Sequence, residues 1–136
     1  MSYYLIDLEN VGIDGLNGIE DLKGTDNVVI FHNKEQANSK ITLKQCMEIS
    51  TSNANIEYIE IKNGTPNALD MQLASQLGFF VATTNTAYYI VSKDTGYDCL
   101  RKYWSKNNRQ VLRVTSIKAV FELKDKKKEE QKEEKK

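Results

Sequence analysis

Five short apolar runs recur along the chain, with room for helices between them. They are rich in β-branched and aromatic residues and occupy residues 3–6, 28–31, 56–61, 88–91 and 111–114. This composition predicts β-strands. Four of the runs are predominantly apolar, as is typical of parallel strands buried on both faces. The third in chain order, IEYIEI, mixes glutamates with apolar residues, which favours a position nearer the edge of a sheet.

The segments between the strands have a helical spacing of apolar residues. We predict helices at about residues 18–22, 41–50, 67–81 and 97–106, and the single proline, Pro66, stands where the third would begin. Strands that alternate with helices predict βαβ units. The expected fold is therefore α/β, with a mostly parallel central sheet of about five strands and helices on both faces.

Length and composition indicate one folded domain. A chain of 136 residues, 40% hydrophobic and 28% charged, resembles an ordinary globular protein in composition and can bury a core. We assign the domain to residues 1–123. The tail at residues 124–136, KDKKKEEQKEEKK, has no apolar stripe and forms either a solvated helix with Lys/Glu pairs or a disordered segment, with no catalytic role.

The same features predict a cytoplasmic protein outside membranes. No apolar stretch approaches the roughly 18 residues that a membrane span needs. The start of the chain, MSYYLIDLEN, carries an aspartate and a glutamate within its apolar stretch, unlike a secretory signal. Cys46 and Cys99 lie far apart and in no metal-binding spacing, so we expect reduced thiols.

The charge distribution argues against nucleic-acid binding by overall charge. The net charge is zero, but the tail holds seven lysines against five acids, which leaves residues 1–123 with 12 basic and 14 acidic residues. A charge-driven binder would have a basic body. Any nucleic acid must therefore contact a local basic patch.

Acidic and polar residues follow two of the predicted strands directly. The first strand runs into Asp7, with Glu9 and Asn10 just after it, and the fourth runs into Ser92, Lys93 and Asp94. Ligands of open parallel sheets bind at the carboxyl ends of the strands. If these two strands are parallel neighbours, Asp7 and Asp94 lie side by side.

Two further aspartates fall in predicted first helical turns. Asp70 shares the apolar face of its helix with Leu73 and Leu77, where a carboxylate needs a partner or a metal. The structural alternative makes Asp70 the third position of a capping box that Asn67 begins. Asp98 either compensates the dipole of the fourth helix or joins the same site.

Together these four aspartates indicate a metal site at one sheet edge. Without nearby compensating charge they would raise one another's pKa values, and divalent cations remove that penalty. A ligand set of oxygens alone suits Mg²⁺ or Mn²⁺. Such an ion polarises a phosphodiester and lowers the pKa of bound water, which is nuclease chemistry. The only histidine, His32, ends the second strand and is more typical of a surface or packing residue.

Three motifs in this order resemble the PIN-like ribonucleases, especially their NYN branch. They are DLEN after strand one, the Lys62-to-Asp70 segment K-x-G-x-x-x-x-x-D, and SKDTGYD after strand four, within about residues 3–115. The resemblance implies a three-layer PIN-like fold and a Mg²⁺- or Mn²⁺-dependent endoribonuclease that cuts single-stranded or structured RNA. It also implies catalytic and metal-binding roles for four residues, namely Asp7, Asp70, Asp94 and Asp98.

The supporting residues are also assigned at this level. Asn10 and Ser92 would hydrogen-bond ligands or phosphate. The candidates for RNA phosphate contacts are Lys34, Lys93, Arg101 and Lys102, each of which is also an ordinary surface charge. Tyr88, Tyr89 and Trp104 are expected in the core rather than stacked on bases, and Lys62 and Gly64 would shape the turn before the helix.

Two departures from the family pattern bear on the metal count. Leu69 and Met71 stand where NYN members often have a second acid beside the helix aspartate, and the SxDxDF spacing is stretched to SKDTGYD. The first departure implies one metal ion instead of two, or weak activity. The competing interpretation is an inactive regulatory or binding subunit that keeps the fold, and a homo-oligomer is left open.

Overall fold

The computed structural model describes residues 1–33, 41–62 and 67–134. Its centre is a five-stranded sheet in the order β3-β2-β1-β4-β5, and every neighbouring pair is parallel. The strands are β1 (Ser2–Asp7), β2 (Asn27–Asn33), β3 (Asn55–Ile61), β4 (Ala87–Val91) and β5 (Gln110–Val114). All five predicted strands are confirmed, and the mixed strand β3 lies at an edge as expected.

The helices are α1 (Leu8–Val11), α2 (Leu43–Thr51), α3 (Ala68–Thr83), α4 (Asp98–Ser105) and α5 (Ile117–Glu134). Three of the helices, α2 to α4, agree with the prediction, whereas α1 and the start of α5 were not predicted. The helix predicted at residues 18–22 is wrong, because only 3-10 turns form there, at Ile13–Leu16 and Ile19–Asp21. Gly18, with φ of 100°, breaks the helical path between them. Pro66 and Gly64 lie outside the described residues.

Helices cover both faces of the sheet. One core cluster joins the side chains of Tyr4, Ile6 and Ile30 to the segment after β1, to α2 and to the start of α5. The other joins Leu5, Val29 and Ile90 to α3 and α4. Because successive strand residues point to opposite faces, each strand contributes to both clusters. The expected three-layer α/β architecture is present.

The C-terminal segment is helical in the described part. Ile117 and Val120 in the first turns of α5 are buried, whereas residues 124–132 are exposed. In the described part of the tail α5 continues to Glu134, and this helix runs without a break through the boundary that we placed after residue 123. Among the described residues, no helix combines the length and apolar character needed to cross a bilayer. Cys46 and Cys99 are free and exposed.

Candidate active site

The geometry of the site starts from the register of β1 and β4. Ile6 pairs with Val91, so Asp7 and Ser92 leave adjacent strands at the same level. Asp7 follows Leu5 on the sheet face that α3 and α4 cover, and Ser92 follows Ile90 on the same face. The two side chains meet there, and Ser92 Oγ donates to Asp7 Oδ2 at 3.2 Å. The predicted neighbourhood of these two strand ends is confirmed.

Asp7 is a buried carboxylate held by three donors. The residue is only 3% exposed to solvent. The Asn10 backbone N–H donates to Asp7 Oδ1 at 3.3 Å, and the hydroxyls of Ser92 and Tyr97 reach Oδ2. Burial raises the pKa of Asp7, and the charge of Asp70 raises it further, although the hydrogen bonds act in the opposite direction.

Tyr97 connects Asp7 to Asp70, and the sequence analysis missed it. Its hydroxyl oxygen lies 3.2 Å from Asp7 Oδ2 and 3.0 Å from Asp70 Oδ1, and the residue is buried. A hydroxyl has a single proton, so it donates to one carboxylate at a time. Burial and the two aspartates raise the pKa of Tyr97, which keeps it protonated. The available signal was its place in SKDTGYD, between the two predicted acids.

Asp70 enters the site from the first turn of α3. Leu73 and Leu77 on the same helix are fully buried, so the apolar stripe faces the sheet as predicted. The capping-box alternative is wrong, because Asn67 adopts a left-handed conformation with φ of 64° and its side chain makes no cap hydrogen bond. The Asp70 carboxylate contacts the Tyr97 hydroxyl instead of the backbone at the start of the helix.

Asp94 acts as a local cap at the same sheet edge. It is exposed, and its Oδ1 accepts from the Gly96 backbone N–H at 2.8 Å at the start of a 3-10 turn, Thr95–Tyr97. Its own backbone N–H donates to Ser92 Oγ at 3.1 Å. Ser92 thus contacts both Asp7 and Asp94, which ties the two predicted acids together through one hydroxyl.

Asn10 fixes the two site loops to each other. Its side-chain Oδ1 accepts from the Lys93 backbone N–H at 2.7 Å, while its own backbone N–H donates to Asp7. Asn10 was predicted to support the site by hydrogen bonding. In the structure it binds backbone and the Asp7 carboxylate, so its contribution is to hold the loop after β1 against the loop after β4.

Asp98 has a different partner from the other three acids. Arg113 Nε on β5 donates to Asp98 Oδ1 at 2.8 Å, and Arg113 Nη1 donates to the Ser92 carbonyl at 3.2 Å. The hydrogen bond and charge of Arg113 lower the pKa of Asp98. The premise that all four acids lack compensating charge is therefore wrong at Asp98.

The four aspartates do not form one compact ligand set. Within the described ranges, no three histidine, cysteine, aspartate or glutamate side chains converge closely enough to hold one metal ion. Asp7 and Asp70 nevertheless fit a hard cation, because two carboxylates meet at one hydroxyl. Mg²⁺ in proteins is commonly held by one or two carboxylates, with waters and substrate phosphates filling the remaining positions.

The remaining predicted residues are placed as follows. Lys62, Lys93, Arg101 and Lys102 are exposed, and Lys34 lies outside the described residues. Tyr88 and Tyr89 are buried and Trp104 packs on the core cluster, which confirms core packing. His32 lies edge-on to Tyr58, with ring centroids 6.4 Å apart, on the face of the sheet opposite Asp7.

Fold and site together define an α/β domain with a carboxylate centre at the carboxyl edge of a parallel sheet. The family model PIN7, described as a PIN domain, matches residues 1–114, and the chain belongs to this family. No curated protein and no solved structure gives a significant match. PIN domains are typically nucleases that use divalent metals, and the family suggests interaction with RNA.

Proposed function

We propose that the protein is a Mg²⁺- or Mn²⁺-dependent endoribonuclease of the NYN branch, which hydrolyses RNA phosphodiester bonds. The observation that carries this proposal is the Asp7–Tyr97–Asp70 arrangement. A buried carboxylate with a raised pKa, next to a second carboxylate, is an unfavourable arrangement that a divalent cation relieves. Within the described part of the chain, Arg113–Asp98 and Lys44–Glu48 are the ion pairs, and neither involves Asp7 or Asp70.

The roles of the site residues follow from their contacts. Asp7 and Asp70 would hold the cation, and Asp94, whose backbone N–H binds Ser92, would reach it through a bound water. When bound, the cation would activate water and stabilise the charge that develops on the phosphate. Ser92, Tyr97 and Asn10 keep the Asp7 carboxylate in one orientation. Since Arg113 already balances its charge, Asp98 would act mainly by positioning Arg113. This assignment favours a single ion over two.

RNA binding is proposed through surface cations beside the site. Lys93 is the second residue after β4, and Arg101 and Lys102 lie on α4, whose first turn contains Asp98. Lys34 completes the predicted set. Contacts of this kind position the phosphate backbone without reading sequence. The substrate is therefore expected to be single-stranded or structured RNA with little base preference at these contacts.

The second candidate is an inactive binding subunit with the same fold. It is favoured by the absence, in the described chain, of a three-ligand metal cluster. Metal binding separates the two candidates, because a ligand that binds the native state raises the melting temperature. Stabilisation by millimolar Mn²⁺ that is lost in Asp7→Asn supports the nuclease, and no response to metal supports the binding subunit.

Cleavage of a fluorescent RNA in Mn²⁺ tests the proposal directly. Asp7→Asn, Asp70→Asn and Asp94→Asn are each expected to lower the rate at least ~100-fold, whereas Asp125→Asn on the exposed end of α5 leaves it unchanged. Asp98→Asn should retain more activity than the other three. Cleavage that persists in both Asp7→Asn and Asp94→Asn would rule out the mechanism.

A further inference from the structure

A polar cavity lies beside the candidate active site, between α4 and β5. Its volume is about 410 Å³, within the range of ligand pockets, roughly 300–1,000 Å³. It is lined by Asp98, Arg101, Lys102, Ser105, Leu112 and Arg113. The space is large enough for a nucleotide rather than a bare ion.

The lining of this cavity has a net positive charge, whereas residues 1–123 as a whole have a net negative charge. Three cations, Arg101, Lys102 and Arg113, face one carboxylate, Asp98, although residues 1–123 carry more acids than bases. Asp98 begins α4, so Arg101 and Lys102, three and four residues later, lie on its side of the helix. The cavity is therefore a local basic patch of the kind that a weakly acidic nucleic-acid-binding protein requires.

Arg113 is oriented before any ligand arrives. Its Nε donates to Asp98 and its Nη1 to the Ser92 carbonyl, which holds the planar guanidinium in one position. A guanidinium has five N–H donors, and these two bonds use two of them. The rest can bind an anion. Asp98 lowers the positive charge of the cavity by one but removes the entropic cost of ordering Arg113.

The cavity is linked to the carboxylate centre by short contacts. Arg113 binds the carbonyl of Ser92, and the hydroxyl of the same serine binds Asp7. An RNA strand with its scissile phosphate at Asp7 would bring a neighbouring nucleotide to this side of the site.

We propose that the α4–β5 cavity is a phosphate subsite, which binds the phosphate group of a nucleotide next to the one that is cleaved. Arg113 provides the fixed contact, and Arg101 and Lys102 provide exposed charges at the rim. The subsite rests on the proposed function, and it specifies the direction in which the bound RNA strand runs away from Asp7. The phosphate is either a backbone phosphodiester or the 5′-terminal phosphate of the RNA, and the two share the same chemistry.

Binding of labelled RNA in EDTA tests this subsite without cleavage. The double variant Arg101→Ala/Lys102→Ala is compared with Lys126→Ala/Lys127→Ala, which removes the same charge from exposed positions of α5. For single strands, each phosphate contact contributes about 0.7 to the slope of log Kd against log salt. Because the subsite binds one phosphate, the first variant should lower this slope by about 0.7 and weaken binding about tenfold at low salt, whereas the second should match wild type.

Two further arms make the result specific. Arg113→Lys keeps the positive charge but loses the paired N–H donors of the planar guanidinium. This variant should weaken RNA binding severalfold with a nearly unchanged salt slope. Oligonucleotides with and without a 5′-phosphate distinguish the two sources, because a preference for the 5′-phosphate that disappears in Arg101→Ala/Lys102→Ala identifies the terminal group, and equal binding identifies the backbone.

The proposal is overturned if both double variants weaken binding equally, since only net charge would then matter, or if neither does. Its failure is distinct from that of the nuclease proposal. Wild-type cleavage in Mn²⁺ together with unaltered RNA binding by Arg101→Ala/Lys102→Ala would overturn the subsite alone. Absence of cleavage in Mn²⁺ would overturn the nuclease alone.

Discussion

At the scale of single residues, the hydroxyl of Tyr97 lies between two carboxylates and cannot donate to both at once. It lies within hydrogen-bonding distance of Asp7 and Asp70 but has one proton for both. Each carboxylate therefore loses part of the solvation that a full set of donors would provide. Such an arrangement is tolerable in a small domain only if the burial of neighbouring apolar groups offsets it, or if a cation binds.

Removal of this hydroxyl should destabilise the metal-free protein. Tyr97→Phe removes one of the three donors to the buried Asp7 carboxylate and the hydroxyl next to Asp70, and we expect unfolding to require about 1–3 kcal/mol less. Mn²⁺ should restore part of this loss by neutralising the carboxylates. Denaturant unfolding in EDTA and in Mn²⁺ measures both effects. Tyr103→Phe, at a residue 59% exposed, is the control and should have no effect. An equal loss in both variants would contradict the bridging role.

The raised pKa of Asp7 predicts that replacing this carboxylate stabilises the metal-free protein, whereas Tyr97→Phe destabilises it. A carboxyl whose pKa is higher in the folded protein than in the unfolded chain stabilises the fold below the unfolded pKa, and this contribution is lost as the pH rises through the folded pKa. At pH 7 in EDTA, Asp7→Asn should therefore have a higher melting temperature than wild type, because the hydroxyls of Ser92 and Tyr97 can accept from the new amide. The difference should shrink at pH 3, and a lower melting temperature at pH 7 would contradict it.

Asp98 should show the usual carboxylate behaviour. Arg113 lowers its folded pKa, so its contribution to stability is present above the unfolded pKa of about 3.9 and is lost as the pH falls through the lower folded pKa. Asp98→Asn should therefore melt below wild type at pH 7, and the two curves should converge near pH 2. Thermal melts across this range, with Asp125→Asn as the exposed control, measure the difference.

At the scale of elements, the contact between the 3-10 turns after β1 and the start of α5 depends on one glycine. Gly18 has φ of 100°, and a Cβ there would lie 2.8 Å from the Lys118 backbone nitrogen, itself bonded to the Asn17 carbonyl. Gly18→Ala combines backbone strain with a clash against the backbone of α5, so we expect a loss of at least ~2 kcal/mol in the free energy of unfolding. Gly24→Ala, whose nearest neighbour would be 3.8 Å away, should change it little. Similar stability in both variants would contradict this.

The alternation within strands made much of the site predictable. Asp7 shares a sheet face with Leu5, and Arg113 shares one with Val111, and α3 and α4 cover this face. The prediction placed Asp7 only from its position at the end of a strand, and it gave Arg113 no role. The apolar stripe of α3 likewise placed Asp70 correctly. It did not reveal the left-handed Asn67, because a backbone conformation at a helix start depends on the preceding turn as well as on residue type.

At the scale of the whole molecule, the exposed part of α5 is separable from the fold. The buried residues of this helix, Ile117 and Val120, lie in its first turns, and residues 124–132 are exposed. A chain that ends after Leu123 should therefore melt within about 2 °C of wild type. It should also keep the salt dependence of RNA binding. A large loss of stability would show that the charged segment packs on the body.

The sequence by itself determined the alternation of strands and helices, the parallel sheet, and the delivery of Asp7 and Ser92 to one edge. These features follow from local periodicity and from the short connections of βαβ units, both of which can be identified in the sequence. The tertiary structure alone decided which partner each acid has. Tyr97 and Asp7 are 90 positions apart, and Arg113 and Asp98 are 15 apart on different elements. Such contacts depend on strand register and on how each helix is rotated against the sheet, which no local pattern specifies.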